Sequence, residues 1–250
     1  MSQIALVTGA TAGFGTAICR CLIKHGYQVI GTGRRVERLD ALKNELGENF
    51  KSLAFDIQDP KEIEKAWDQL PESWKKIDLL VNNAGLALGI EPAHQTNRSD
   101  WLQMIDTNIK GLVCMTHLVL PGMVARNHGH IINMGSIAGN YAYPGSNIYG
   151  STKAFVKQFS LNLRADLLGT KVRVSNIEPG LCGGTEFSQV RFHGDKERAD
   201  KLYDKVDYVT PEDIADIVLW LNQQPPHINI NRIEVMPVAQ TFAGLVVHKD

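Results

Sequence analysis

The chain has 250 residues, a length common for a single α/β domain and sufficient to bury a core without disulfide or metal staples. Its 26 basic and 27 acidic residues are mixed along the sequence, which excludes nucleic acid as the main partner, because phosphate binding needs a clustered basic excess. The four cysteines lack the spacing of metal ligands, which predicts reduced thiols and no metal. No apolar run approaches about 20 residues, and the start of the sequence is neither basic nor signal-like. We therefore expect a cytoplasmic protein without a membrane partner.

Seven short apolar segments alternate with segments of helical periodicity. The predicted strands are residues 4–8, 28–32, 51–55, 78–81, 129–134, 171–177 and 230–236. The predicted helices are residues 13–25, 36–46, 60–70, 99–126, 148–168 and 211–223. Several strands are continuously apolar, so we expect helices on both faces of the sheet. The alternation predicts an α/β fold, a single-domain Rossmann-type doubly wound parallel sheet of about seven strands over residues 1–250.

The first predicted strand leads into a turn with the glycine spacing G-x-x-x-G-x-G, formed by Gly9, Gly13 and Gly15. Glycine lets the backbone turn sharply and approach a ligand closely, and the free N–H groups of a helix N-terminus attract a pyrophosphate. The spacing differs from the usual G-x-G-x-x-G, and a glycine cluster alone is a weak signal. Its place at the first strand–helix junction favours a dinucleotide site.

The end of the second predicted strand indicates which dinucleotide binds. NAD enzymes usually place an acidic residue there to bind a ribose hydroxyl. Gly33 stands at that position and is followed by Arg34 and Arg35. The missing carboxylate removes repulsion against a 2′-phosphate, and guanidinium groups match phosphate geometry. We therefore expect NADP, with Arg34 as a contact. Arg35 is either a second contact or a solvated residue that opens the next helix.

A tyrosine and a lysine four residues apart, Tyr149 and Lys153, begin the helix predicted at residues 148–168. Residues at this spacing share a helical face, so the phenol and the ammonium can face one cleft. We expect the ammonium to lower the pKa of Tyr149 toward the range useful for acid–base catalysis. Ser136 follows a predicted strand and is placed to hold a substrate oxygen, because open α/β sheets keep their sites at the carboxyl ends of strands.

Asn108 lies inside the helix predicted at residues 99–126. An internal asparagine is unfavourable in a helix, because its side chain competes for backbone hydrogen bonds. We predict that Asn108 supports a local kink and a water that relays protons to Lys153. The alternative is an ordinary residue on the helix surface.

These motifs together resemble the short-chain dehydrogenase/reductase family, in family order and from residue 4 to about residue 187. They are the turn of residues 8–15, Asn82-Asn83-Ala84-Gly85, Asn108, Ser136, Tyr149-x-x-x-Lys153 and Pro179-Gly180. The resemblance implies an oxidoreductase in which Tyr149 is the acid–base, supported by Lys153, Ser136 and Asn108.

The resemblance also implies where the cofactor lies. The pyrophosphate would contact Gly9, Ala10, Thr11, Ala12, Gly13, Phe14 and Gly15. The 2′-phosphate would contact Arg34 and Arg35, the adenine Asp56 and Ile57, and the riboses Asn83 and Lys153, with Tyr149 also beside the cofactor. The nicotinamide would be covered by Pro179, Gly180, Leu181, Cys182, Gly183, Gly184, Thr185, Glu186 and Phe187. Thr185 stands six residues after Pro179, one more than the family pattern, which leaves its carboxamide contact open.

Within that family, residues 82–94 (NNAGLALGIEPAH), 121–133 (PGMVARNHGHIIN) and 178–187 (EPGLCGGTEF) are similar to the NADP-dependent 3-hydroxy acid dehydrogenases. The similarity implies hydride transfer between NADP and a small 3-hydroxy acid or β-hydroxy amino acid: serine, L-allo-threonine, or 3-hydroxypropionate with its malonic semialdehyde. The alternative is a reductase of bulkier ketones or acyl-carrier-bound 3-oxo substrates on the same catalytic set. A dinucleotide sensor without chemistry is disfavoured, since it needs no catalytic base.

The similarity further implies a homotetramer in which the two long helices pair between subunits. They carry more apolar residues than one sheet face requires, including Leu112, Met115, Leu118, Phe155, Phe159 and Leu163.

Residues 181–208 depart from the strand–helix rhythm and form a charged stretch after Gly183 and Gly184. We expect a lid-like insertion, the alternative being a solvated surface excursion. Arg191 in this stretch is flanked by apolar residues, so we expect its guanidinium to enter a partly dry pocket and bind the substrate carboxylate. The alternative is an ion pair with Glu186, Asp195 or another acid of this stretch.

Overall fold

The computed structural model describes residues 2–242 and contains one parallel sheet. Its strands are β1 (Ile4–Val7), β2 (Gln28–Gly33), β3 (Phe50–Ala54), β4 (Leu79–Asn82), β5 (Gly129–Met134), β6 (Val172–Pro179) and β7 (Arg232–Val235). Their order across the sheet is β3-β2-β1-β4-β5-β6-β7. The order reverses between β1 and β4, which is where doubly wound sheets open a ligand cleft.

Helices connect the strands. They are α1 (Gly13–Lys24), α2 (Val36–Leu46), α3 (Pro60–Asp68), α4 (Arg98–Ile105), α5 (Leu112–Ala125), α6 (Asn147–Asp166), α7 (Phe187–Arg191), α8 (Lys196–Lys201) and α9 (Pro211–Gln223). They cover both faces of the sheet, as the continuously apolar strands predict. In β1, Ala5 and Val7 pack into the core below α1 and α9, whereas Ile4 and Leu6 pack into the core shared with α5 and α6. The predicted α/β single-domain fold is confirmed.

The helix predicted at residues 99–126 has a feature that the periodicity did not specify. A π-helical segment, Asp106–Gly111, joins α4 to α5. The extra residue in the turn redirects the side chains around Asn108, and such segments are frequent at functional sites. By length and composition the whole stretch Arg98–Ala125 would suit a membrane span, but Met115, Val119 and Met123 in it pack against the sheet like residues of a core helix.

Residues 181–208 form a long excursion after β6, and the two ends of this excursion lie next to each other. Cys182 and Val209 form an isolated β-bridge, and the Val209 N–H donates to the Leu181 carbonyl at 3.2 Å. Between these ends lie α7 and α8. We call this segment the lid. Its two ends are therefore held together, and α7 is carried over the carboxyl edge of the sheet.

Candidate active site

The carboxyl ends of the strands border a cavity of about 650 Å³. Its walls include the glycine-rich turn, Tyr149 and Lys153 of α6, and Phe187 and Arg191 of the lid. Most of the predicted cofactor, catalytic and substrate residues thus line one cleft. Five of them do not line it: Ala10, Gly15, Asn108, Gly183 and Gly184.

The glycine-rich turn is built for close approach of a ligand. A Cβ on Gly15 would lie 2.1 Å from the Gly9 carbonyl oxygen, and Gly9 itself has a φ of 69°. The N-terminus of α1 has no side-chain cap at Ala12, so its first N–H groups are free to bind an anion. A pyrophosphate fits this turn. Ala10 and Gly15 support the turn from behind, whereas Thr11, Gly13 and Phe14 line the cavity.

Three of the residues that the resemblance assigns to adenine and ribose follow β3 and β4. Asp56 and Ile57 come after β3, and Asn83, directly after β4, joins β4 to β1 by donating its Nδ2 hydrogen to the Thr8 carbonyl at 2.9 Å. Asp56, Ile57 and Asn83 all line the cavity, and their contacts with the cofactor stay a prediction.

The corner predicted to hold a 2′-phosphate carries no carboxylate on β2. Arg34 is half exposed, with a weak 3.5 Å contact to Asp56, so its guanidinium is available to a ligand. Arg35 is not merely a solvated residue at the start of α2: its guanidinium donates to the Thr11 hydroxyl at 3.0 Å and to Glu186 at 2.7 Å. This corner fits a 2′-phosphate.

Arg38 also lies at this corner and was missed in the sequence. It donates to the Thr11 carbonyl at 3.2 Å and to Glu186 at 2.8 Å. It follows Arg35 by three residues, a spacing that places both on one face of a helix and was the available signal.

Tyr149 and Lys153 lie in the first turns of α6 and are both buried. The lysine Nζ donates to the Met134 carbonyl at 2.8 Å and lies 5.8 Å from the centre of the Tyr149 ring. Ser136 follows β5 and caps a short 3₁₀ turn by accepting from the Ala138 N–H at 3.1 Å. The phenol, the ammonium and the serine hydroxyl all line the same cavity, as predicted.

The expectation that the pKa of Tyr149 falls toward neutrality is wrong, because burial of the phenol outweighs the positive charge nearby. Burial raises the pKa of Tyr149 to about 12, and the groups that oppose this rise are Ser136 and Arg191, not Lys153. Burial also lowers the pKa of Lys153 to about 8, because the charged form loses solvation. The spacing of two residues on a helix indicates how close their charges lie, but not how deeply the fold buries each group.

Asn108 is buried in the π-helical segment, so it is not a residue of the helix surface. Its side chain accepts from the Leu86 N–H at 2.9 Å and donates to the Leu86 carbonyl at 2.9 Å and to Thr152 at 3.0 Å. Gly85 lies beside it, and a Cβ there would be 3.3 Å from both Asn108 Oδ1 and Lys153 Nζ. The missing side chain keeps the space between the amide and the lysine open.

Arg191 enters the cleft from the lid. Its guanidinium lies 5.7 Å from the ring centre of Tyr149 and 5.7 Å from that of Tyr143, and it donates to the Tyr143 hydroxyl at 3.2 Å. The alternative acid partners are engaged elsewhere, since Glu186 binds Arg35 and Arg38, and Asp195 caps α8. The sequence analysis did not single out Tyr143. The position of its side chain beside Arg191 depends on a loop conformation that no sequence motif specifies.

The residues predicted to cover the nicotinamide divide into two sets. Those that line the cavity are Pro179, Gly180, Leu181, Cys182, Thr185, Glu186 and Phe187. Gly183 lies behind the wall, where a Cβ would be 2.5 Å from the Tyr208 ring, and Gly184 faces Pro211. Thr185 contacts the glycine-rich turn, with its Cγ2 3.0 Å from where a Cβ on Gly13 would lie. Burial raises the pKa of Cys182 to about 12, so its sulfur stays a thiol.

This combination of a glycine-rich turn, a basic corner in place of the NAD acid and a Ser–Tyr–Lys cleft defines a dinucleotide-dependent oxidoreductase. The family model for short chain dehydrogenases matches residues 3–196, and the chain belongs to that family.

Relatives along the whole length make the match more particular. The chain is 70% identical over 246 residues to a probable NADP-dependent dehydrogenase of Haemophilus influenzae, with 98% of each covered. It is 60% identical over 248 residues to the NADP-dependent 3-hydroxy acid dehydrogenase of Escherichia coli K12, covering 99% of this chain and 100% of the relative. A solved serine dehydrogenase in closed form with NADP+ is 59% identical, with a TM-score of 0.98 over 99% of this chain and 100% of the other. The chain is an NADP-dependent dehydrogenase.

Proposed function

We propose that the protein transfers a hydride between NADP and a small 3-hydroxy acid or β-hydroxy amino acid, such as serine, L-allo-threonine or 3-hydroxypropionate. The observation that carries this proposal is the position of Arg191, a guanidinium in the cleft that is paired with a phenol and a carbonyl but with no carboxylate among residues 2–242. A carboxylate is the planar anion that a guanidinium binds best. The relatives named for 3-hydroxy acids and for serine support the same substrate class.

When bound, NADP supplies the hydride acceptor or donor. The remaining chemistry falls to side chains of this chain. Tyr149 takes the hydroxyl proton during oxidation and returns it during reduction. Ser136 holds the substrate oxygen beside the phenol, and the Lys153 ammonium stabilises the phenolate as it forms. Asn108 holds the loop after β4 and the space beside Lys153 through which a water relays the proton.

A raised pKa makes the Tyr149 phenolate a stronger base once it has formed, and nearby positive charge offsets part of the free energy needed to form it. Two positive groups lie near the Tyr149 ring, Lys153 in α6 at 5.8 Å and Arg191 in the lid at 5.7 Å from the ring centre, and Arg191 is the one that lowers the pKa of the phenol. A substrate carboxylate bound to Arg191 neutralises one of them, so the substrate's charge and the basicity of Tyr149 are linked. The substrate is thereby both held and presented to a more basic phenolate.

The substrate proposal is tested with Arg191→Ala and Arg191→Lys. We expect Arg191→Ala to raise KM for L-serine and 3-hydroxypropionate by roughly 10- to 100-fold, the loss expected for a charge-assisted contact, and to change KM for an uncharged secondary alcohol by less than about threefold. Lysine keeps the charge without the two-pronged geometry and should recover only part of the affinity. Tyr149→Phe abolishes turnover of every substrate and serves as the control. Equal losses on charged and uncharged substrates, or better turnover of bulky ketones by the unmodified enzyme, would contradict the proposal.

We also propose a cytoplasmic homotetramer. Of the apolar residues named for the interface, Leu112, Met115 and Leu163 belong to the chain's own core. Phe155 on α6 is 37% exposed and stacks on Phe159, and Leu102 on α4 is 50% exposed. These outer residues on the long helices support pairing with another subunit.

A further inference from the structure

Charged groups close the outer rim of the cleft at the 2′-phosphate corner. Glu186, the residue before α7, accepts from Arg35 at 2.7 Å and from Arg38 at 2.8 Å. Both arginines also donate to Thr11 of the glycine-rich turn, at 3.0 to 3.2 Å. We call these four residues the rim cluster. It joins three separate parts of the chain: the turn after β1, the start of α2 and the lid.

The Glu186 carboxylate is charged at every working pH. Hydrogen bonds from Arg38 and Arg35 lower its pKa to about 2. Two of the three guanidinium groups at this corner, those of Arg35 and Arg38, are therefore always paired with a negative charge. Only Arg34 is left largely free, with its 3.5 Å contact to Asp56. A carboxylate and a 2′-phosphate are both oxyanions that guanidinium groups bind in the same manner.

We propose that Glu186 competes with the 2′-phosphate of NADP for Arg35 and Arg38, and that it thereby sets the affinity for that phosphate. The proposal rests on the NADP dependence established above. It separates the roles of the arginines: Arg34 is the permanent phosphate ligand, whereas Arg35 and Arg38 are shared between the phosphate and the lid.

The competition also reaches the substrate side of the cleft. Glu186 directly precedes α7, which carries Phe187 at 5.8 Å from the Tyr149 ring and Arg191 at its last position. The ion pairs of Glu186 therefore fix the start of the helix that presents Arg191 to the substrate. Glu186 is a positioning residue for the lid and a specificity residue for the cofactor.

The test compares two nucleotides that lack nicotinamide, adenosine 2′,5′-bisphosphate and 5′-AMP, by calorimetry on the full chain. Glu186→Gln removes the competing charge and keeps the size of the side chain. We expect it to tighten binding of the bisphosphate by about three- to tenfold at low salt, less as salt rises, because one charge near a dianion contributes on that order. Binding of 5′-AMP should change less than about twofold, since it carries no 2′-phosphate.

Glu197→Gln is the matched control. Glu197 is also a lid acid in an ion pair, with Lys201, but it lies on α8 and does not line the cavity. It should leave both nucleotides unchanged. The proposal is overturned if Glu186→Gln weakens the bisphosphate, if it changes both nucleotides by the same factor, or if Glu197→Gln has the same effect. Failure of the unmodified protein to distinguish the bisphosphate from 5′-AMP would instead remove the 2′-phosphate site itself, and the proposal with it.

Discussion

Conversion of the cofactor preference from NADP to NAD requires three substitutions rather than the two that the sequence suggests. The sequence suggests an acid at Gly33 and loss of the charge at Arg34. In the structure, a Cβ on Gly33 would lie 2.7 Å from Thr11 Cγ2, closer than real Cβ contacts. Thr11→Ser removes that methyl group but retains the Oγ that accepts from Arg35. The designed variant is therefore Thr11→Ser/Gly33→Asp/Arg34→Ala.

The expected change is large because two effects add. Removal of the half-exposed Arg34 loses a charge-assisted phosphate contact of about 1.4 kcal/mol, or about tenfold. The carboxylate introduced by Gly33→Asp adds repulsion of similar size against a 2′-phosphate and gains a ribose hydroxyl as a partner for NAD. Together they should lower the ratio of kcat/KM for NADP to that for NAD by roughly 100-fold or more.

The measurement is kcat/KM with each cofactor, together with a thermal melt. Thr11→Ser/Gly33→Ala adds the Cβ without charge and should leave the NADP preference almost unchanged. Gly33→Asp/Arg34→Ala without the threonine change should have a lower Tm than the triple variant. A triple variant that keeps the original cofactor ratio, or a double variant as stable as the triple, would refute the reasoning.

Two further predictions concern stability and assembly. His130 is buried against Asn222 and Ser175, and burial lowers its pKa to about 3. Below about pH 6.5 the imidazole of the unfolded chain therefore binds a proton that the folded chain excludes. The free energy of unfolding falls as the pH is lowered from about 6.5 to about 3. Between pH 7.5 and pH 5, urea unfolding should show that the unmodified protein loses about 2 kcal/mol more unfolding free energy than His130→Gln. His128→Gln changes an exposed neighbour and should behave like the unmodified protein. Equal pH dependence of all three proteins would exclude His130 as the cause of the acid sensitivity. For assembly, light scattering at micromolar concentration should give the mass of a tetramer, and Phe155→Glu should give smaller species, while a monomeric mass of the unmodified protein would exclude the proposed tetramer.

The sequence predicted the parts of the site that depend on local geometry. Tyr149 and Lys153 share a face because the helical period is fixed, and the glycine-rich turn must follow β1 because only its spacing permits the close approach of Gly9 and Gly15. The positions of strands and helices could be predicted because the spacing of apolar residues reflects the fixed period of each element.

The parts that escaped prediction depend on distant segments. The contact of Tyr143 with Arg191 and the ion pairs of Glu186 with Arg35 and Arg38 form only because the lid folds back, and no periodicity in the sequence indicates this fold. A local distortion at Asn108 was expected, but its π-helical form was not, because it depends on hydrogen bonds between Asn108 and Leu86, 22 residues away. The pKa of Tyr149 depends on how deeply α6 buries it, a quantity that spacing along one helix does not contain.

The bridge between Cys182 and Val209 has a consequence for how such an enzyme can diversify. Because the two ends of the lid meet beside β6, a change of length or sequence between them leaves the sheet and the Tyr–Lys cleft in register. The entropic penalty of a longer closed loop grows slowly, by only about 0.6 kcal/mol for each doubling of length. Substrate recognition through residues such as Arg191 can therefore change by insertion or replacement within one exchangeable loop, while Ser136, Tyr149 and Lys153, which lie outside that loop, are inherited unaltered.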